Sequence, residues 1–263
     1  MSAAMSVGEL GTIAMVLSAM FAAPAPASAQ VKVLMSGGFG GAYQQLLPEF
    51  ERTSGVKVTT GSGASQGTGP QTIAAQLARG VAADVVILSR EGLTELMAAH
   101  RIMDGTDVDL ARVPLGVAMR PGTETPDVST VEAFKQSVLR AKTIAVPGST
   151  SGIWLKTELF PRLGIADAIE LRMMPRGSEA AALVASGEAQ LGILPESEIK
   201  AAPGVEFAGA LPSEIQLVQI FAAAVVTGSQ QTEASKRLIE FLASPGAAPT
   251  IRTSGMEPVA QAR

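Results

Sequence analysis

Cysteine is absent and histidine occurs once, at position 100. The first absence excludes disulfides, thiolate nucleophiles and most structural zinc sites, and the second excludes a histidine-rich metal centre. Charge is scarce too: 20 Lys and Arg against 24 Asp and Glu give a formal net charge of −4, which is not the balance of a nucleic-acid binder. Beyond residue 23 no apolar run is long enough for a membrane span, since 221–226 is only strand-sized. Aromatic side chains are few, and the single Trp154 reads as core rather than as a ligand platform. What remains is a chain that is 47% hydrophobic, enough to bury a substantial core in one large domain or two smaller ones.

The first residues read as a targeting signal. An apolar stretch over 10–23 is too short to cross a bilayer comfortably and runs through Pro24 and Pro26 into Ala27-Ser28-Ala29, a small-x-small cleavage pattern. A secretory signal peptide over 1–29 is expected, with Glu9 standing where a basic residue is usual. Cleavage after Ala29 would deliver the remainder to the periplasm.

Strand-like and helical runs then alternate. Strands are expected over 31–35, 56–60, 83–88, 115–119, 143–146, 171–174, 191–194 and 217–226, and helices over 43–53, 71–79, 92–100, 130–140, 153–163, 178–186, 232–243 and 246–253. Val-rich runs of four to six residues bounded by glycine suit buried strands, and Leu46, Leu47 and Phe50 fall at helical spacing. Such βαβ alternation predicts an α/β protein of two lobes, each a mainly parallel sheet flanked by helices. Ligands of such sheets sit at the carboxyl ends of the strands.

Three of those ends share one composition: Ser36-Gly37-Gly38, the loop Ser62 to Thr68 with Ser65 and Gln66, and Ser149-Thr150-Ser151-Gly152. Glycine lets backbone approach a ligand, hydroxyls donate hydrogen bonds, and the free N–H groups of a helix's first turn favour an anion. Each junction also has a simpler reading, as a tight turn or as an N-cap at Thr150 or Ser151. Ser89-Arg90 follows the third strand, where a guanidinium can grip a carboxylate with two parallel bonds, or else pair with Glu91 or Glu95. Arg176 is its candidate counterpart. Gly63-Ala-Ser65-Gln-Gly67 matches a nucleophile elbow, with Asp84 and His100 following, but the spacing is far shorter than a hydrolase requires. The same loop lacks the Gly-Lys-Ser/Thr ending of a P-loop. Glu196, Ser197 and Glu198 follow the strand over 191–194 and read as loop acids or as a base in the cleft.

The segments Val31-Lys-Val-Leu-Met-Ser36, Leu47-Pro-Glu-Phe50, Ala83-Asp-Val-Val-Ile, Leu115-Gly-Val-Ala-Met and Gly187-Glu-Ala-Gln-Leu-Gly-Ile193 resemble those of periplasmic solute-binding proteins of the molybdate-binding type. Gly61 to Pro70 and Ser89-Arg-Glu-Gly92 look closer to a branch that includes aconitate isomerase-like proteins. The resemblance implies a type II periplasmic binding fold with lobe 1 from 30–114 and 222–263, lobe 2 from 115–221, and crossover strands at 115–119 and 221–226. It implies a monomeric receptor that closes on a small anion, an organic di- or tricarboxylate or an oxyanion such as molybdate, for an ABC-type transporter, without metal or cofactor. The alternative it implies is a periplasmic aconitate isomerase, for which Glu91, Glu179, Glu196 or an activated hydroxyl would supply the base. One departure stands out: where molybdate binders carry a tyrosine after this strand, the chain has Pro195-Glu196-Ser197.

Overall fold

The computed structural model describes residues 30–260, so the expected signal segment lies outside the described residues. The elements, in order, are β1 (Gln30–Met35), a 3₁₀ turn (Gly37–Phe39), α1 (Gly40–Ser54), β2 (Lys57–Ser62), α2 (Ile73–Ala78), β3 (Val85–Ser89), α3 (Arg90–Ala98), β4 (Val108–Met119), α4 (Val131–Ala141) and β5 (Thr143–Pro147). Then come α5 (Thr150–Trp154), a π turn (Leu155–Leu159), α6 (Phe160–Leu163), β6 (Glu170–Met174), α7 (Gly177–Ser186), β7 (Leu191–Pro195), α8 (Glu196–Ala201), β8 (Glu206–Ala210), β9 (Val218–Val225), α9 (Thr232–Leu242), α10 (Ala248–Thr253) and β10 (Glu257–Pro258).

The strand order β2-β1-β3-β9-β4-β7-β5-β6 is a palindrome of roles, with three strands of each lobe outside and the two crossover strands between them. Within each trio the pairing is parallel. Every pair that involves β4 or β9 is antiparallel, because a chain crossing between lobes must run out along one strand and back along the other. β4 serves both lobes. Its first half pairs β9, and its second half, Leu115–Met119, pairs β7 and β8.

Two apolar clusters cover the faces of the first lobe's sheet, one around Phe39, Tyr43, Phe50 and Leu238, the other around Ile73, Leu88 and Leu93. Two more cover the second, around Phe134, Ile144, Leu155 and Phe160, and around Ala180, Val184 and Ile199. Tyr43 belongs to the core; burial pushes its phenol up to about 12, and its hydroxyl meets Thr60 Oγ1 at 2.8 Å. Trp154 is half-buried against the second lobe's core. The helix after β5 widens into a π turn where Pro161 cannot donate to the preceding turn, and Phe160 N–H reaches back to Leu155 O instead. Among the described residues no helix is long and apolar enough to cross a membrane.

Candidate functional site

The carboxyl ends of the two parallel trios face each other across a cleft. Its lining brings together Ser36, Ser65, Ser149, Ser151, Arg176 and Glu198, with Gly37, Gly63 and Gly177 supplying bare backbone and Gln219 and Phe221 forming the floor from β9. The loop after β1 thus meets the start of α8, and the loop after β2 meets both Thr150 after β5 and Arg176 after β6. The cleft is shut nearly to contact: the space open to the centre of a water molecule is about 30 Å³.

Side chains from opposite lobes hold it so. Thr150 Oγ1 lies 2.8 Å from Ser89 Oγ and 2.8 Å from Gln66 Oε1, which it reaches as donor. Arg176 Nη1 donates to Ser62 Oγ at 3.4 Å, and Ser197 Oγ donates to Gly38 O at 2.6 Å. Ser89 also caps α3, accepting from Gly92 N, and its own amide donates to Ser65 Oγ. Two glycines are dictated by this closeness. A Cβ on Gly38 would strike the Phe221 ring, and one on Gly152 would strike Pro147 O.

Polar satisfaction singles out the same place. Among the described residues four buried side-chain polar atoms lack a hydrogen-bond partner: Ser36 Oγ, Glu198 Oε2, Gln219 Oε1 and Ser235 Oγ. The first three line this cleft. Buried polar groups are otherwise nearly always paired, so three unpaired ones in one cavity make this cleft the candidate site.

Glu198 is the residue for which the sequence left two readings open, a solvated loop acid or a carboxylate in the cleft. It lies on the first turn of α8 with its carboxyl packed on Gly37 and Gly177; a Cβ on Gly177 would collide with Oε2. Burial without a compensating donor pushes it up to about 7. A signal was available: Lys200 stands at i+4 from Glu196 and binds it at 2.7 Å, which leaves Glu198 as the acid without a helical partner.

The expected residues divide accordingly. Ser36, Gly37, Ser65, Ser149, Ser151 and Arg176 line the cleft. Gly38 and Gly152 pack behind it, while Ser62, Gln66, Ser89 and Thr150 hold the lobes together. Thr68 is exposed and outside the cleft lining. Arg90 needs correction. It pairs neither with a ligand position nor with Glu91 or Glu95: Nη1 donates to Asp107 Oδ2 at 2.7 Å and Nε to Asp109 Oδ1 at 2.7 Å, and it does not line the cleft. The two carboxylates at the start of β4 neutralise it and draw it off to the side. Arg176 forks onto Glu179, which makes that glutamate an ion-pair partner rather than an available base. No triad forms around Ser65, because Asp84 and His100 line a different cavity.

Comparison with known proteins gives consistent relatives. Residues 31–257 match the family model of bacterial extracellular solute-binding proteins. An aconitate isomerase from Pseudomonas sp is 38% identical over 229 residues, covering 86% of this chain and 87% of the relative. Among solved structures, the periplasmic molybdate-binding protein of Azotobacter vinelandii superposes with a TM-score of 0.68 at 19% identity, covering 86% of this chain and 98% of that one. The sulfate-binding protein of Mycobacterium tuberculosis superposes with a TM-score of 0.69 at 19% identity, covering 88% and 87%. At that identity the superpositions speak to fold alone.

Proposed function

From a chain that belongs to the bacterial extracellular solute-binding protein family, with its type II periplasmic binding fold, we propose an isomerase that shifts a proton along an unsaturated polycarboxylate such as aconitate, with Glu198 as the base. The observation that carries this reading is the Glu198 carboxyl itself: unpaired, in the cleft, and pushed up to about 7 by burial. A carboxyl that titrates near neutrality beside a bound anion can take up and give back a proton there. A proton-transfer enzyme needs a base poised near the working pH.

The chemistry follows from the donors around it. Glu198 as carboxylate takes a proton from the methylene carbon between a carboxylate and the double bond, and the electron pair spreads over the allylic system into the flanking carboxylates. Ser36, Ser149 and Ser151, with the first-turn amides of α7 at Gly177, face that developing charge. Arg176 at the rim holds Glu179 through Nε and Nη2, and its Nη1, now 3.4 Å from Ser62 Oγ, would turn to a distal carboxylate. The protonated Glu198 then returns a proton to the other end of the allyl unit, so one residue serves both ends. Since the closed cleft holds only a few water-sized groups, the lobes part to admit substrate and close to exclude water. In the test, purified protein is incubated with trans-aconitate and cis-aconitate is followed by NMR. Turnover that E198Q abolishes supports the reading, and E198Q turning over at the parent rate refutes it.

The cross-lobe hydroxyl contacts at Thr150 favour a second reading, a periplasmic receptor that closes on a small carboxylate or oxyanion and delivers it to a membrane ABC transporter. Saturable binding of an anion without turnover would select it. On either reading the protein would act as a periplasmic monomer on a small anion.

A further inference from the structure

Glu198 is a wall shared by two cavities. One is the cleft. The other lies between α7 and α8 and is formed by Ser178, Ala181, Ala182, Ala201, Ala202 and Pro203, with Gly37 also common to both. Ser178, Ala182, Ala201 and Pro203 are exposed, so this rear pocket opens to solvent. Its space for water centres is about 190 Å³ against about 30 Å³ in the cleft. At roughly 10–15 Å³ per water the rear pocket takes on the order of a dozen molecules where the cleft takes two or three. Glu198 itself keeps partial exposure although its Oε2 has none. The charged groups on the two helices nearest it are already engaged, Arg176 with Glu179 and Lys200 with Glu196.

We infer that the rear pocket is a proton port, through which water exchanges the Glu198 carboxyl proton while the lobes remain closed over the anion. The inference rests on the isomerase reading. In the step concerned, a substrate C–H bond breaks, its electron pair enters the conjugated carboxylate, and the proton resides on Glu198. Before a proton is returned to the other allylic carbon, water in the rear pocket can take that proton and supply another from solvent. No oxidant, reductant or further reactant is needed. Small side chains are what keep the port open, since leucine at Ala182 or Ala201 would fill it from the side away from the cleft.

The test runs the conversion of trans-aconitate in D₂O and counts deuterium in the first product by mass spectrometry. The parent protein is expected to place deuterium in most of its product. A182L and A201L, on different helices so that one survives a folding defect in the other, are expected to turn over within a few-fold of the parent while incorporation falls several-fold and the substrate's own proton is retained. Equal incorporation in the parent and in a folded, active filled variant overturns the port, as does a parent product free of deuterium. A parent that makes no product at all overturns the isomerase reading and the port with it, an outcome told apart by the missing product signal.

Discussion

Each lobe places a charged residue in the first turn of the helix that follows a strand beside the crossover pair, and the two are treated in opposite ways. β3 and β7 occupy equivalent places in the strand order, each beside a crossover strand and each running directly into a helix. After β3 comes Arg90, clamped by Asp107 and Asp109 and withdrawn from the cleft. After β7 comes Glu196, held by Lys200, and two residues further along the same turn Glu198 faces the cleft with a buried oxygen that no donor meets. A paired charge fixes the strands it spans. An unpaired one costs stability, and its persistence in a cavity is the kind of expense that function explains.

Sharpest on that contrast is E198Q, which keeps the shape and removes the base: turnover should fall by about 10²–10⁴-fold, with anion binding retained, as measured by NMR turnover and calorimetry. The same variant should be the more stable one above neutrality. Glu198 is held well above its ordinary value, at about 7, so the folded state keeps a proton that the unfolded chain releases earlier, and the stability tied to that proton is lost as pH rises from about 4.5 through 7. E198Q should match the parent near pH 4 and exceed it by about 2–3 kcal/mol at pH 8 in denaturant titrations. S36A removes a hydroxyl with no partner in the protein, so anion affinity should drop about 10-fold while melting temperature barely moves.

R90A asks the opposite question. It should leave affinity untouched and cost about 1–3 kcal/mol, because Asp107 and Asp109 lose a half-buried partner; a loss of affinity without loss of stability would return Arg90 to the site. Smallest should be T150V, which deletes the hydroxyl linking Ser89 and Gln66 across the lobes. A few-fold faster anion release in stopped flow is expected, equivalent to about 0.5–1 kcal/mol.

Most of the fold was legible because the buried strands are short Val- and Ile-rich runs with helical periods between them. Besides the two-residue β10, three elements were not. The first half of β4 is broken up by Asp109, Arg112 and Pro114, which read as loop until β9 is there to pair with them. β8 is a five-residue edge strand, exposed or half-buried throughout. α8 is six residues long and begins with acids, so its inward face cannot be told from a solvated turn by periodicity. The site divides along the same line. Hydroxyls and glycines at strand ends announce themselves through composition, whereas the roles of Arg90 and Glu198 depend on which charges lie within reach, and those come from distant stretches of chain.

That β4 is one uninterrupted strand through both sheets has a consequence for taking the molecule apart. Excising either lobe would strip the other of the strand that seals its sheet against β9 or against β7 and β8, exposing a row of bare amides and carbonyls ready to recruit a neighbouring chain. Either half expressed alone is therefore expected to aggregate rather than fold.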